Sequence, residues 1–203
     1  MAKLIKIYNN FNLEQSHKGS IILIGNFDGV HLGHQKLFDL AKRYKKKFNL
    51  NIGVLTFEPM PKMYFNKKIK NFRISNLDQK IDLLKSLGVD FIINKKFDYK
   101  FSKTKSLDFI KKIIYQKLNA KFIFVSNNFK FGNKREGDVS QLINYESLYE
   151  YQTIKPEPLK IKNKVVSSSL VRNLLEKGFL NKANKILKRN WCIIGKVEKG
   201  RQV

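Results

Sequence analysis

Residues 25–34 contain three glycines and two of the three histidines in the chain. The segment follows a short β-branched run and precedes a helical pattern, which predicts a turn from a strand into a helix. Glycines let the backbone approach a ligand closely, and a helix start offers unpaired N–H groups and a partial positive charge. His31 and His34, with Gly33 between them, are therefore predicted to face a bound phosphate as hydrogen-bond donors. The alternative is a tight turn with two incidental surface histidines.

A second group of polar residues lies near the other end of the chain. Ser167, Ser168 and Ser169 precede a helical pattern that ends at Gly178, and Arg172 follows one turn in. Serines at a helix start cap it, and capping alone is the alternative interpretation. A fixed arginine charge also suits phosphate oxygens. Together with the histidines, this group is predicted to hold the outer phosphates of a nucleotide.

The apolar pattern around these motifs alternates between strands and helices. Strands are predicted over 21–24, 52–57, 89–93 and 121–125. Helices are predicted from Leu37 onward, over 77–87 with Gly88 as the stop, and from Ser106 as N-cap through Leu118. This alternation favours an α/β fold with a doubly wound parallel sheet. Because ligands in such folds lie at the carboxyl ends of strands, the loops after Ile24, Phe57 and Val125 should share one crevice.

The length of 203 residues and the 42% hydrophobic content suit one folded α/β domain, with or without a small appendage. No apolar run approaches the roughly 20 residues that span a bilayer, and the amino terminus lacks the apolar stretch of a secretory signal. No membrane partner and a cytoplasmic location are therefore expected. Cys192 is the single cysteine, which excludes an intrachain disulfide.

The charge of the chain leaves one alternative class open. Lysine and arginine number 41 against 16 acidic residues, a formal net charge of +25, so a polyanion-binding protein must be considered. The lysines are scattered through every segment, however, and a bound nucleic acid is not expected. Dispersed charge of this kind solvates all faces and still attracts anionic substrates.

The His-x-Gly-His loop and the late Ser-Ser-x-x-x-Arg pattern resemble the nucleotidylyltransferase superfamily, which has a Rossmann-like fold. The sequence of residues 25–35 resembles that of the bacterial FAD synthetase branch of this superfamily, the bifunctional riboflavin kinase/FMN adenylyltransferases. Three further segments carry the same resemblance, at 56–61, 125–132 and 135–138. It runs in order from about residue 21 to residue 200.

The resemblance implies FMN and ATP as substrates, with Mg²⁺ accompanying ATP through ligands that the sequence does not specify. His31, His34 and Arg172 would be catalytic. The residues implied to bind ATP are Gly25, Asn26, Phe27, Asp28, Gly29, His31, Gly33, His34, Ser167, Ser168, Ser169 and Arg172. Those implied to bind FMN are Phe57, Pro59, Pro61, Phe65, Asn128, Phe131, Arg135 and Asp138.

The chain departs from the family pattern at three positions. Met60 stands where the family usually has histidine, Ser126 where it usually has glycine, and Ser169 where it often has threonine. Met60 removes a polar contact near the flavin, which puts flavin affinity in question more than activity.

The resemblance also divides the chain. Residues 1–188 would form the FMN adenylyltransferase domain, and 189–203 the start of a riboflavin kinase β-barrel, whose opening Gly-x-Val-x-x-Gly matches 195–200. One strand cannot close a barrel, so the chain is expected to make FAD from FMN and ATP without phosphorylating riboflavin. A nucleotidylyltransferase with a different phosphate acceptor is the nearest alternative enzyme.

Overall fold

The structure is a computed structural model that describes residues 5–69 and 72–195. The strands that it contains are β1 (Lys6–Tyr8), β2 (Ile21–Ile24), β3 (Ile52–Glu58), β4 (Phe91–Lys96), β5 (Phe122–Phe124), β6 (Lys130–Phe131), β7 (Gly137–Asp138), β8 (Gln152–Ile154), β9 (Lys160–Ile161) and β10 (Lys164–Val165). The helices are α1 (Leu32–Phe48), α2 (Pro61–Phe65), α3 (Leu77–Ser86), α4 (Tyr99–Ser102), α5 (Ser106–Asp108), α6 (Val139–Asn144), α7 (Glu146–Tyr149), α8 (Ser168–Glu176) and α9 (Leu180–Leu187). A π-helix, Phe109–Lys117, continues α5 directly.

Six strands form the central sheet, in the order β1-β4-β3-β2-β5-β8, and all neighbours are parallel. The chain moves outward from β2 through β3 to β4, and then crosses to β5 on the other side of β2. The carboxyl end of β2 is therefore the topological switch point, where such sheets bind ligands. The predicted α/β fold with a parallel sheet is confirmed.

Both faces of the sheet are covered, as a doubly wound fold requires. Alternate residues of β2 point to opposite faces: Ile22 and Ile24 pack in a core with the π-helix, whereas Ile21 and Leu23 pack against α1 and α3. β2 is apolar throughout because neither of its faces meets water. No helix in the described ranges is both long enough and apolar enough to cross a membrane.

Two local predictions need correction. Ser106 does not cap its own helix; instead its backbone N–H donates to Glu136 Oε1 at 2.7 Å, so the cap comes from thirty residues away. The strand predicted over 89–93 begins two residues later and ends three residues later, because Gly88 turns with φ +74° and the ladder with β3 continues through Lys96. Backbone pairing extends β4 past its apolar residues, and an apolar pattern cannot indicate that extension.

Candidate active site

A cavity of about 660 Å³ opens at the carboxyl ends of β2, β3 and β5. The loops after Ile24, Phe57 and Val125 all contribute to it, as the sequence predicted. Among the residues implied to bind ATP, those that line it are Gly25, Asn26, Phe27, Asp28, His34, Ser168, Ser169 and Arg172. Among those implied to bind FMN, the lining residues are Phe57, Pro61, Phe65, Asn128, Phe131 and Arg135.

Two of the chain's histidines lie on top of one another at the start of α1. His31 is the N-cap, with Nδ1 accepting from the His34 backbone N–H at 3.4 Å, and the two rings stack with centroids 3.7 Å apart. His31 is buried and does not line the cavity, whereas His34 lines it. Nδ1 of His34 is enclosed without a hydrogen-bond partner among the described residues, which leaves Nε2 as the ring nitrogen that can reach a ligand.

Both imidazoles are held neutral. Burial is the main cause that lowers the pKa of His31 to about 4, and the nearby guanidinium groups of Arg172 and Arg189 contribute to that lowering. Burial, with a smaller contribution from His31, also lowers the pKa of His34 well below its ordinary value. A neutral imidazole carries one N–H, so His34 can donate one hydrogen bond without bringing a positive charge.

Asp28 and Arg172 form an ion pair at the cavity wall, although 144 residues separate them in the chain. Arg172 Nη2 lies 2.8 Å from Asp28 Oδ2, and its Nε donates to the carbonyl of Phe72 at 2.8 Å. The guanidinium also lies over the Phe72 ring, 3.7 Å from the centroid. The Asp28 carboxylate additionally accepts from the backbone N–H groups of Ile74 and Ser75. Arg172 is therefore fixed in one orientation at the cavity edge.

The three serines have separate roles. Ser167 caps α8 by accepting from the Leu170 N–H at 3.2 Å, which confirms the capping interpretation for this residue. Ser168 lines the cavity and donates to the Asp28 carbonyl at 3.0 Å, and Ser169 lines it beside Arg172. The start of α8 thus lies against the loop that starts α1.

The other end of the cavity is aromatic. Phe65, Phe97, Phe101 and Phe109 form a chain of ring contacts, with successive centroids 5.8, 5.7 and 6.5 Å apart. Phe131 continues the chain at 5.3 Å from Phe109. Edge-to-face and tilted rings of this kind present a wall suited to a flat aromatic ligand.

Six of the predicted site residues lie outside the lining. His31 and Ser167 are the two caps already described, and Pro59 follows β3 after a cis peptide bond. Asp138 caps α6, accepting from the Gln141 N–H at 3.1 Å, and pairs with Lys130. Gly29 has φ +75°, and a Cβ there would lie 2.7 Å from Ile74. Gly33 packs against the His31 ring.

Several lining residues were not predicted. Phe72, Phe97, Phe101, Phe109, Phe129 and Thr104 line the cavity. Phe97 follows β4 directly, so the rule that ligands lie at carboxyl ends of parallel strands could have indicated it. Phe72 carries no such signal, because it lies in a connecting segment between α2 and α3.

Metal-ligating side chains do not cluster in the parts of the chain that the structure describes. No group of three His, Cys, Asp or Glu residues there could hold an ion. The carboxylate at the cavity, Asp28, is already occupied by Arg172 and two backbone N–H groups.

Taken together, a parallel sheet with a phosphate-type helix start at its switch point and an aromatic wall opposite defines a nucleotide-binding domain of the nucleotidylyltransferase type. A sequence profile of the FAD synthetase family matches residues 13–170. The chain belongs to that family.

Curated relatives agree with this assignment, and a solved structure shares the fold. The bifunctional riboflavin kinase/FMN adenylyltransferase of Buchnera aphidicola subsp. Schizaphis graminum is 37% identical to the chain over 95% of the chain's length. The Escherichia coli K12 enzyme of the same name is 31% identical over 98% of the chain. The chain spans 62% and 63% of the lengths of these two relatives. A Streptococcus pneumoniae crystal structure, described as a macrolide-efflux protein, has 25% identity and a TM-score of 0.80, covering 93% of this chain and 72% of its own.

Proposed function

We propose that the chain transfers the AMP part of ATP to the phosphate of FMN, giving FAD and pyrophosphate. One observation carries the proposal: a single cavity joins the start of α1 to an aromatic wall. The two ends match the two substrates, because N–H groups at a helix start suit phosphate and a wall of aromatic rings suits an isoalloxazine. The family membership supports the same reaction.

The chemistry needs no general base. The second pKa of a phosphate monoester is about 6, so the FMN phosphate is largely dianionic near neutral pH. One of its oxygens attacks the α-phosphorus of ATP in line, forming the new P–O bond as the bond to the β-phosphate oxygen breaks. Pyrophosphate leaves with that bonding pair. Catalysis then consists of positioning and charge stabilisation.

The residues of the chain divide these tasks. The backbone N–H groups at the start of α1 and Nε2–H of His34 stabilise the equatorial oxygens of the α-phosphate. Ser168, Ser169 and Arg172, at the start of α8, hold the outer phosphates. Arg172 keeps Asp28 as its partner, so its charge is directed rather than free to move.

We propose that Mg²⁺ arrives with ATP instead of occupying a protein site. Mg²⁺ commonly keeps several waters and binds through substrate phosphates, and the described residues offer no ligand cluster of their own. When bound, it would supply charge neutralisation on the phosphates. A cytoplasmic location, without nucleic-acid or membrane partners, also remains part of this proposal.

An assay of FAD formation tests the reaction. FMN with ATP should yield FAD and pyrophosphate in equal amounts, whereas riboflavin with ATP should yield no dinucleotide in the absence of FMN, because it lacks the attacking phosphate. Other phosphate acceptors, such as nicotinamide mononucleotide, should be used far less well. Efficient use of one of them with no FAD from FMN would establish the alternative nucleotidylyltransferase instead. The assignment of 189–203 to the start of a second domain stays a prediction, because residues 196–203 lie outside the described ranges.

A further inference from the structure

The loop between β2 and α1 is held in a strained conformation. Phe27 has φ 49° and Val30 has φ 40°, in the left-handed region that a β-branched residue rarely adopts. Strain of this kind costs on the order of 1–3 kcal/mol per residue and persists when surrounding contacts over-determine it. The contacts that hold this loop therefore decide whether the start of α1 is in place.

Four side chains, three of them from distant parts of the chain, donate hydrogen bonds to the carbonyls of this loop. The donors are Thr56 to Asn26 O at 3.3 Å, Ser168 to Asp28 O at 3.0 Å, Arg189 to Gly29 O at 2.7 Å and Gln35 to Val30 O at 3.0 Å. Arg189 and Gln35 also both donate to the Leu187 carbonyl, at 3.2 Å each. The segment after α9 is thus tied to the loop.

Arg189 is the member of this set that no motif predicted. It is half-buried and donates hydrogen bonds to two backbone carbonyls, those of Leu187 and Gly29, with no salt bridge to a carboxylate among the described residues. Two residues on, Trp191 Nε1 donates to the Ile74 carbonyl at 2.8 Å, and the Ile74 side chain lies against Gly29. Gly29 is therefore held on one side by Arg189 and on the other through Ile74.

We infer that Arg189 is a positioning residue for the ATP site. By binding the Gly29 carbonyl, it keeps the loop in the conformation that presents the start of α1 and His34 to phosphate. The inference rests on the proposed function, because it assigns ATP to that end of the cavity. FMN binds at the aromatic end and should not depend on this contact.

Three variants test the inference: Arg189→Ala, Arg189→Lys and the control Lys188→Ala, which removes the same charge from the exposed neighbour. Loss of a charge-assisted hydrogen bond predicts about tenfold weaker ATP binding and a similar rise in the ATP KM for Arg189→Ala. FMN affinity should stay within about twofold. Arg189→Lys should recover part of the ATP affinity, and Lys188→Ala should match the original protein.

A spectroscopic readout separates positioning from simple packing. Because the Arg189 charge contributes to lowering the pKa of His31, that pKa should rise in Arg189→Ala, as followed by NMR titration of the imidazole. A lower kcat at unchanged ATP KM would show that Arg189 only sets the folded fraction, and would overturn the inference. Unchanged kinetics would overturn it too. If Arg189→Ala does not fold, Arg189→Lys decides: an unchanged ATP KM there rejects the role.

The same measurements keep the two claims apart. Original protein that makes no FAD contradicts the proposed function, whatever the variants do. Original protein that makes FAD, with Arg189 variants of normal ATP affinity, contradicts only the positioning role.

Discussion

His34 reaches the cavity through one edge of its ring, and that edge carries the hydrogen bond proposed for the α-phosphate. Replacing it in His34→Ala should lower turnover by roughly 10²-fold, the usual effect of losing one transition-state donor. FMN binding should change little, because the aromatic wall lies elsewhere. His34→Gln keeps an N–H donor and should recover part of the rate. Near-normal turnover in His34→Ala would show that the ring does not contact the reacting phosphate.

His31 should make stability depend on pH. Its folded pKa of about 4 lies below the unfolded value of about 6.5, so the unfolded chain binds the extra proton between these limits. The stabilisation is complete above pH 6.5 and is lost as the pH falls toward 4, by about 3 kcal/mol. His31→Asn keeps a capping acceptor but cannot titrate. Urea denaturation should show that the free energy of unfolding falls less at acidic pH in this variant than in the original protein. An equal fall in both proteins would contradict a buried neutral His31.

Phe65 is 67% exposed, yet it forms one end of the aromatic wall. An exposed ring at the end of the wall suits a residue that stacks on a ligand, so Phe65→Ala should weaken FMN binding roughly three- to tenfold. Asn128→Ala should also weaken FMN binding more than ATP binding. Phe48, which is 41% exposed on α1 outside the cavity lining, gives the control Phe48→Ala. Calorimetry with each ligand decides, and an ATP-only defect would reverse the assignment.

For individual residues, the sequence predicted which ones lie at the site better than it predicted which partners they bind. Gly25, His34 and Ser168 lie at the cavity because their local spacing placed them at strand ends and helix starts. The Asp28–Arg172 pair was not predicted, since no local pattern connects residues 144 positions apart. Asp138 was assigned to FMN, yet it caps a helix outside the lining; a role in FMN binding stays a prediction.

Among the elements, the helix that begins with α5 and continues as a π-helix depends on a cap from another part of the chain. Glu136 Oε1 binds the Ser106 N–H and so joins the turn between β6 and β7 to the helix that carries Phe109. Glu136→Ala should destabilise the fold by about 1 kcal/mol, as for other lost caps. FMN affinity should fall with it, because Phe109 and Phe131 lose their mutual support. Glu136→Gln keeps the acceptor and should behave normally; if both variants weaken FMN equally, the cap is not the cause.

Elements with strong apolar periodicity were predicted almost to the residue. β2 matches its prediction at both ends, and α3 ends within a residue of the expected stop. The short edge strands β1 and β8 were not predicted, because three residues with partly polar faces give no periodic signal. Pairing with β4 and β5 makes them strands, and that information is not local.

The whole molecule carries a net charge of +25, and the two classes of function predict different responses to it. Because the lysines are dispersed, the chain should bind duplex DNA weakly and non-specifically, with a Kd no tighter than about 10⁻⁶ M at physiological salt. The DNA affinity should fall steeply as the salt concentration rises. The affinity for FMN should change little across the same range of salt concentration. Fluorescence anisotropy with labelled duplex, alongside FMN titration, measures both. Tight duplex binding at physiological salt with weak FMN binding would support the polyanion-binding class.

The hydrogen bonds that hold the loop between β2 and α1 also set an order of events during synthesis. Gly29 is made early, but its carbonyl partner Arg189 lies 160 residues further along the chain. The sheet from β2 to β5 can form before that residue leaves the ribosome, whereas the Arg189 contact to the strained loop cannot form until it has. With the positioning role inferred for Arg189, a growing chain would carry a folded sheet before its proposed ATP site is complete.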